Sequence, residues 1–330
     1  MTDRPKIYVT RRIAERALDA LRQQAEVTVW AEDRPVPRDE LLKNITDTDA
    51  LLSMLTERID AELLDSAPRL KVVSNMAVGY DNVDVNAATQ RRIPVGNTPD
   101  VLTETTADLT FALLLSAARR LPEGERYVHA GQWKQWSPSL LLGRDVYGAT
   151  LGIVGFGRIG QAVARRAKGF GMRVLYHGGG NADVAHEIGA EERSLEDLLR
   201  DSDFVSLHVP MKPETRHLMS TPQFALMKTT AILINVARGA VVDSVALYTA
   251  LRSKRIFAAA LDVTDPEPIP ADDPLLTLDN CLIVPHVGSA TVTTRERMAL
   301  LAADNALAGL RGDRLPHCIN PAVYESPSSA

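Results

Sequence analysis

Residues 151–154 run straight into Gly155-Phe156-Gly157-Arg158-Ile159-Gly160, and a helical pattern follows over 161–169. This junction restricts the fold more than any other feature of the chain. Gly-x-Gly-x-x-Gly alone is a weak signal, because glycine is common. Set between a buried-strand pattern and a helix start, it meets the context that a phosphate-binding turn requires. Gly155 permits the tight turn, and Gly157 lets the backbone approach a pyrophosphate. Gly160 allows the helix to pack closely on the strand. The helix N-terminus offers free N–H groups to the anion, so Phe156, Arg158 and Ile159 count with the glycines as contacts. No Gly-Lys-Ser/Thr closes the run, which excludes a Walker-type P-loop. The expected ligand is a dinucleotide; a glycine-rich turn without ligand is the alternative.

Around this junction, short apolar runs alternate with helical patterns. The runs are 7–10, 27–30, 50–55, 72–76 and 93–95, with helical patterns near 14–24, 38–45, 61–66 and 85–90. The rhythm restarts at 151–154, 173–176, 204–209, 231–236, 258–263 and 282–285. Such alternation predicts an α/β protein with parallel sheets covered on both faces. Six strands suffice for a doubly wound nucleotide-binding domain. Long helical patterns at about 103–120 and 293–311 bracket the second unit. The expected organisation is two Rossmann-like domains. A cofactor domain at 101–289 is inserted into a discontinuous substrate domain at 1–100 and 290–330.

With 330 residues, the chain has room for two domains. A net charge of −5 lacks the basic footprint of a nucleic-acid or anionic-membrane binder. No apolar run approaches membrane-spanning length, and the opening MTDRPKIYVTRR has no signal-peptide pattern. A cytoplasmic protein is expected. Cys281 and Cys318 form no Cys-x-x-Cys pair, so neither a disulfide framework nor a metal site is expected. The tail 326–330 is of low complexity and is expected to fray.

Three further segments each put a polar residue at the C-terminal end of a strand pattern, the edge where open α/β sheets bind ligands. They are Asn235-Val236-Ala237-Arg238-Gly239, Asp262-Val263-Thr264-Asp265-Pro266-Glu267-Pro268 and Pro285-His286-Val287-Gly288. An arginine, a carboxylate and a histidine beside a dinucleotide suit hydride transfer to an α-keto acid. Arg238 can grip the substrate carboxylate bidentately and polarise the keto oxygen. His286 can donate the proton, Glu267 can orient the imidazolium, and Gly288 leaves room for ligand. Singly, each has a plainer reading. Arg238 fits a solvated charge, Glu267 a loop carboxylate with Asp262 and Asp265 as competitors, and His286 a packed histidine. The other six histidines (129, 177, 186, 208, 217 and 317) read as structural or surface groups.

The stretches GFGRIGQAVARRAKGFGMRVLY, AILINVARGAVVD, AAALDVTDPEP and IVPHVGSAT together resemble the D-isomer-specific 2-hydroxyacid dehydrogenases. NMAVGYDNVDV, PVGNTPDVLTETTADLTFALLLSAARR and GQWKQWSP are similar to segments of the glyoxylate/hydroxypyruvate reductase branch. The likeness covers nearly the whole chain. It implies a homodimer, a nicotinamide cofactor, catalysis in a cleft, and the roles given above to Arg238, Glu267 and His286. It also implies that the Val78–Gly79 loop contacts the substrate carboxylate and that Trp136 reaches the partner subunit's active site. Asp262 is expected near the nicotinamide and Thr106 near the ribose–phosphate. Further cofactor contacts are expected at Val209, Pro210, Val236 and Ala237, and at Gly178, Gly179 and Gly180.

The expected reaction is reduction of glyoxylate or hydroxypyruvate to glycolate or D-glycerate. Another 2-keto acid, such as 2-ketogluconate, is the first alternative. Phosphite oxidation, the second, is opposed by the absence of lysine in Met76-Ala77-Val78-Gly79-Tyr80. A dinucleotide-sensing co-repressor or scaffold is the non-enzymatic alternative, with little need for all three catalytic groups. After the second strand the chain reads Tyr176-His177-Gly178-Gly179-Gly180-Asn181, with no acid for a ribose 2′-OH. Gly179 stands where NADPH-using relatives place arginine. Both NADP and NAD are therefore expected to work, with NADPH modestly preferred; a loop touching neither cofactor is the alternative.

Overall fold

The apolar runs of the first hundred residues form one sheet. Its strands are β1 (Lys6–Val9), β2 (Glu26–Val29), β3 (Ala50–Ser53), β4 (Val72–Asn75) and β5 (Val95–Gly96). They lie side by side in the order β2-β1-β3-β4-β5, every neighbouring pair parallel. β3 and β4 are buried at each position, as a strand covered on both faces must be, whereas the edge strand β2 is not. The helix Val292–Arg311 returns to this sheet: Ser74 Oγ donates to the Ala302 carbonyl at 2.8 Å. The C-terminal stretch follows it, with the Val95 amide donating to Asn320 Oδ1 at 2.8 Å.

The computed structural model describes residues 4–325, so the tail expected to fray lies outside the described residues. The chain divides into two units. One takes the chain up to Leu102 and again from Ala290; the other is Thr103–Ser289.

The second unit's strands are β6 (Thr150–Val154), β7 (Arg173–His177), β8 (Glu191–Glu192), β9 (Phe204–Leu207), β10 (Ile232–Asn235), β11 (Ala258–Leu261) and β12 (Cys281–Ile283). Their order is β12-β11-β10-β9-β6-β7-β8, again all parallel. Counted from β6, this is the doubly wound dinucleotide order with one added strand, and the order reverses between β6 and β9. Among the described residues, no helix is long and apolar enough to cross a membrane.

The structure corrects several expected boundaries. β8 is a seventh strand that the apolar pattern missed, because it consists of two glutamates on the sheet edge. Glu191 is held there by Arg173 at 2.7 Å and Arg193 at 2.7 Å rather than by apolar burial. Ile93 precedes the last strand of the first sheet instead of opening it. Val209, Val236, Val263 and Pro285, counted with the strands by their composition, lie beyond strand ends and build the loops. At β10 the cause is visible. The Asn235 side chain accepts from the Ala237 amide at 3.0 Å and donates to the Arg238 carbonyl at 2.9 Å, which turns the chain out of the sheet. The helix expected to reach 120 stops at Ala118; Arg120, at φ 53°, turns the chain into a separate helix, Leu121–His129.

Gly309 shows where packing outweighs helix propensity. Replacing glycine by alanine inside a helix ordinarily gains about 1 kcal/mol. Here a Cβ would sit 2.4 Å from Val72 Cβ, on a buried strand that cannot yield. Gly309→Ala should therefore destabilise the protein by about 1–3 kcal/mol. Denaturant unfolding checks this, and a variant as stable as the parent would refute it.

Candidate active site

The glycine turn joins β6 to the helix Arg158–Gly169 beside the point of strand reversal. Gly155 has φ +96°, and a Cβ on it would lie 2.7 Å from the His208 carbonyl carbon at the end of β9. Only glycine fits this turn. Gly160 would bring a Cβ to 2.3 Å from the Gly155 carbonyl oxygen, so it too is held bare by packing. Gly157 differs from both: nothing lies within 4 Å of its Cβ position, and it caps the helix whose unpaired amides follow. An open glycine at a helix N-terminus is a cradle shaped for a pyrophosphate. Phe156 is placed otherwise than a direct contact requires. Its ring is fully buried and stacks on Tyr176 at 4.2 Å, its amide donates to the Gly178 carbonyl at 3.0 Å, and its carbonyl accepts from Gln161 Nε2 at 2.9 Å.

The loops after β10, β11 and β12 meet on the same sheet edge. Gly239 abuts the loop after β11 so closely that a Cβ would fall 1.9 Å from the Thr264 carbonyl, which locks the Arg238 turn against the Glu267 loop. His286 Nδ1 and Glu267 Oε1 are 2.6 Å apart, both partly exposed. The two competing acids are engaged elsewhere. Asp265 faces Arg216 at 3.6 Å. Asp262 is buried and accepts from the Val287 amide at 2.6 Å and the Gly288 amide at 2.9 Å. Burial pushes the Asp262 carboxyl above its ordinary range, against the opposing pull of those amides and the nearby imidazole. The His286 amide donates to the Asp262 carbonyl at 2.9 Å, and His286 itself sits at φ 51°. Thr106, one turn into the helix Thr103–Ala118, lies 3.4 Å from where a Gly288 Cβ would be. Thr106, Asp262, His286 and Gly288 thus form one cluster.

Val78 and Gly79 belong to the other unit, in the loop after β4. Their amides donate to nothing among the described residues. Trp136 is 79% exposed on the irregular stretch before β6, with Trp133, Leu142 and Tyr147 also exposed nearby.

At the end of β7, Gly178 (φ 74°) and Gly179 (φ 36°) hold left-handed backbone that only glycine adopts without strain, and both face open space. Gly180 instead packs on Phe156. Sequence reading missed Arg193. It follows β8; its amide donates to the Tyr176 carbonyl at 2.9 Å, and its guanidinium is paired with Glu191 at 2.7 Å. Only the neighbouring-strand position reveals it.

Known proteins resemble this chain over most of its length. Residues 111–288 match the family model described as D-isomer specific 2-hydroxyacid dehydrogenase, NAD binding domain. The glyoxylate reductase of Thermococcus kodakarensis is 53% identical over 327 residues, 98% of each chain. A crystal structure of a protein from Thermus thermophilus is 50% identical, with a TM-score of 0.90 over 95% of this chain and 99% of that one. The NADPH-dependent glyoxylate/hydroxypyruvate reductase of Sinorhizobium meliloti, solved with NADP and malonate, is 33% identical. Its TM-score is 0.85 over 98% of this chain and 99% of that one.

The histidine beside Gly155 makes the site sensitive to acid. His208 Nε2 lies 2.8 Å from Ser206 Oγ, and its Nδ1 is buried without a partner among the described residues. Burial pushes the ring down from 6.5 to about 3. Unfolding therefore takes up a proton between those values, so this contribution to stability is complete above 6.5 and fades as pH falls toward 3. His208→Gln should lose less Tm than the parent on acidification from neutral pH. Parallel curves of Tm against pH would refute it.

Proposed function

The chain belongs to the D-isomer specific 2-hydroxyacid dehydrogenase family, and we propose that it reduces glyoxylate and hydroxypyruvate to glycolate and D-glycerate. The observation that carries this is the 2.6 Å His286–Glu267 pair on the same sheet edge as the glycine cradle. It is supported by relatives named for glyoxylate reduction. When bound at the cradle, a reduced nicotinamide dinucleotide supplies the hydride. The protein supplies the proton and the charge. Glu267 accepts from Nδ1–H and holds the imidazolium, leaving Nε2–H for the keto oxygen. Arg238 grips the substrate carboxylate through its planar fork. The Thr103–Ser289 unit acts as the cofactor domain, and the other unit, with Val78 and Gly79, as the substrate domain. We assign the active form to a cytoplasmic homodimer; the exposure of Trp133, Trp136, Leu142 and Tyr147 within one stretch of chain supports the dimer.

His286→Asn should lower turnover by about 10²–10⁴-fold with cofactor affinity little changed. Because reduction consumes the imidazolium proton, the parent should reduce keto acids faster at low pH and oxidise hydroxy acids faster at high pH. Arg238→Lys keeps the charge but loses the fork, and should raise KM for glyoxylate and lower turnover. Steady-state kinetics check both variants. Wild-type turnover in His286→Asn removes it as the acid.

NADPH is the preferred cofactor in this reading, by about tenfold or 1.4 kcal/mol in kcat/KM. No carboxylate ends β7 to repel a 2′-phosphate. The positive φ values change which variant tests this. Arginine at Gly179 would be strained, whereas aspartate is among the residues that tolerate φ 74° best, so Gly178→Asp should turn the preference to NADH. A parent with higher kcat/KM for NADH than for NADPH overturns the preference.

A further inference from the structure

The loop after β4 carries three consecutive carbonyls that are each pinned by a different donor. The Ala77 carbonyl accepts from the Thr98 amide at 2.9 Å. The Val78 carbonyl accepts from Asn97 Nδ2 at 2.9 Å, and the Gly79 carbonyl from Asn75 Nδ2 at 3.0 Å. In a planar trans peptide the C=O and the following N–H point in opposite directions. Fixing the Ala77 carbonyl therefore aims the Val78 amide, fixing the Val78 carbonyl aims the Gly79 amide, and fixing the Gly79 carbonyl aims the Tyr80 amide. None of these three amides donates to a partner among the described residues. Asn75 and Asn97 are themselves buried, the first as the last residue of β4 and the second just after β5. The Asn75 backbone is fixed by parallel pairing with Ser53, and that of Asn97 by its amide donating to the His317 carbonyl at 3.3 Å and by Asn305 Nδ2 donating to its carbonyl at 3.0 Å.

We propose that Asn97 and Asn75 are positioning residues: their side-chain amides hold the Val78–Tyr80 backbone so that the Gly79 and Tyr80 N–H groups face the substrate's carboxylate. This rests on the keto-acid reductase reading above. It adds Tyr80 as a third amide of the anion cradle and separates the contributions. The Val78 amide is set by backbone alone, whereas those of Gly79 and Tyr80 each depend on one asparagine. Neutral amides that capture a carboxylate do so only if they are already aligned, because the bond each makes is modest and its direction is most of its worth.

The test uses the full-length protein with oxalate as a non-reacting dicarboxylate probe. Backbone amide resonances of Val78, Gly79 and Tyr80, from protein labelled at those residue types, are followed by transverse-relaxation-optimised NMR during oxalate titration. All three should shift in the parent. In Asn97→Ala the Gly79 response should disappear while that of Val78 persists; in Asn75→Ala the Tyr80 response should disappear. Asn97→Asp, nearly isosteric, removes the donor without opening a cavity and should behave likewise. In each variant KM for glyoxylate should rise about tenfold, with kcat within about threefold of the parent and NADPH binding unchanged. A Gly79 response and a KM unaltered in both Asn97 variants would overturn the proposal. So would a uniform loss of all three responses together with cofactor binding, which marks a merely structural role. If the parent reduces no 2-keto acid yet the three amides respond to oxalate residue by residue as described, the reductase reading fails and the positioning role stands. If the parent reduces glyoxylate but oxalate moves none of the amides, the reductase reading stands and the positioning role falls.

Discussion

A single buried carboxylate holds the chemistry in place. Asp262 ends up out of water, and what stabilises its oxygens is a pair of backbone amides, those of Val287 and Gly288. Its own carbonyl takes the amide of His286. The histidine between these anchors sits at φ 51°, a conformation that costs a non-glycine residue about 1–3 kcal/mol. The hydrogen bonds on either side hold the loop in that conformation. The loop is thereby stable in a geometry that the residues would not choose alone. It delivers the imidazole to Glu267 at 2.6 Å.

That arrangement depends in turn on parallel topology. In a parallel sheet every strand ends on the same edge, so loops from β10, β11 and β12 arrive together although 50 residues of sequence separate Asn235 from Pro285. Close packing at glycine then sets their spacing. Gly239 lets the Arg238 turn touch the backbone of Thr264, and Gly155 lets the phosphate turn touch the end of β9. A methyl group at either point would push apart loops that must act as one.

Much of this was legible in the sequence because it is local. The glycine turn, Asn235 at the end of β10, Asp262 and His286 in the loops after β11 and β12, and the alternation of runs with helices all occupy short windows. What could not be read depends on neighbours distant in the chain. β8 has no apolar pattern, since an edge strand of two glutamates is held by ion pairs with Arg173 and Arg193. Composition could not choose between Glu267, Asp265 and Asp262, because the choice lies in which carboxylate reaches the imidazole. The burial of the Phe156 ring, the left-handed backbone of Gly178 and Gly179, and the nearness of Arg193 to β7 are likewise tertiary facts. The asparagines under the Val78–Tyr80 loop gave no sequence signal, since a buried Asn at a strand end more often closes a turn than aims a neighbour.

The size of the ligand explains why so much of the structure is spent on alignment. A keto acid with a handful of heavy atoms, at a ceiling of about 1.5 kcal/mol per atom, can gather only several kcal/mol from binding. It buries too little apolar surface for the hydrophobic effect to hold it, so recognition falls to charge and hydrogen bonds. Those groups would form equally good bonds with water unless they are held in advance, because each exchange with solvent nets only about 1 kcal/mol. A guanidinium brings charge and its own preformed fork; a main-chain amide brings neither. In the proposed site Arg238 stands on a single turn, locked by Gly239. Main-chain amides, in the proposed anion cradle, would need the carbonyls behind them fixed, and the buried Asn97 and Asn75 side chains are the donors that hold two of them.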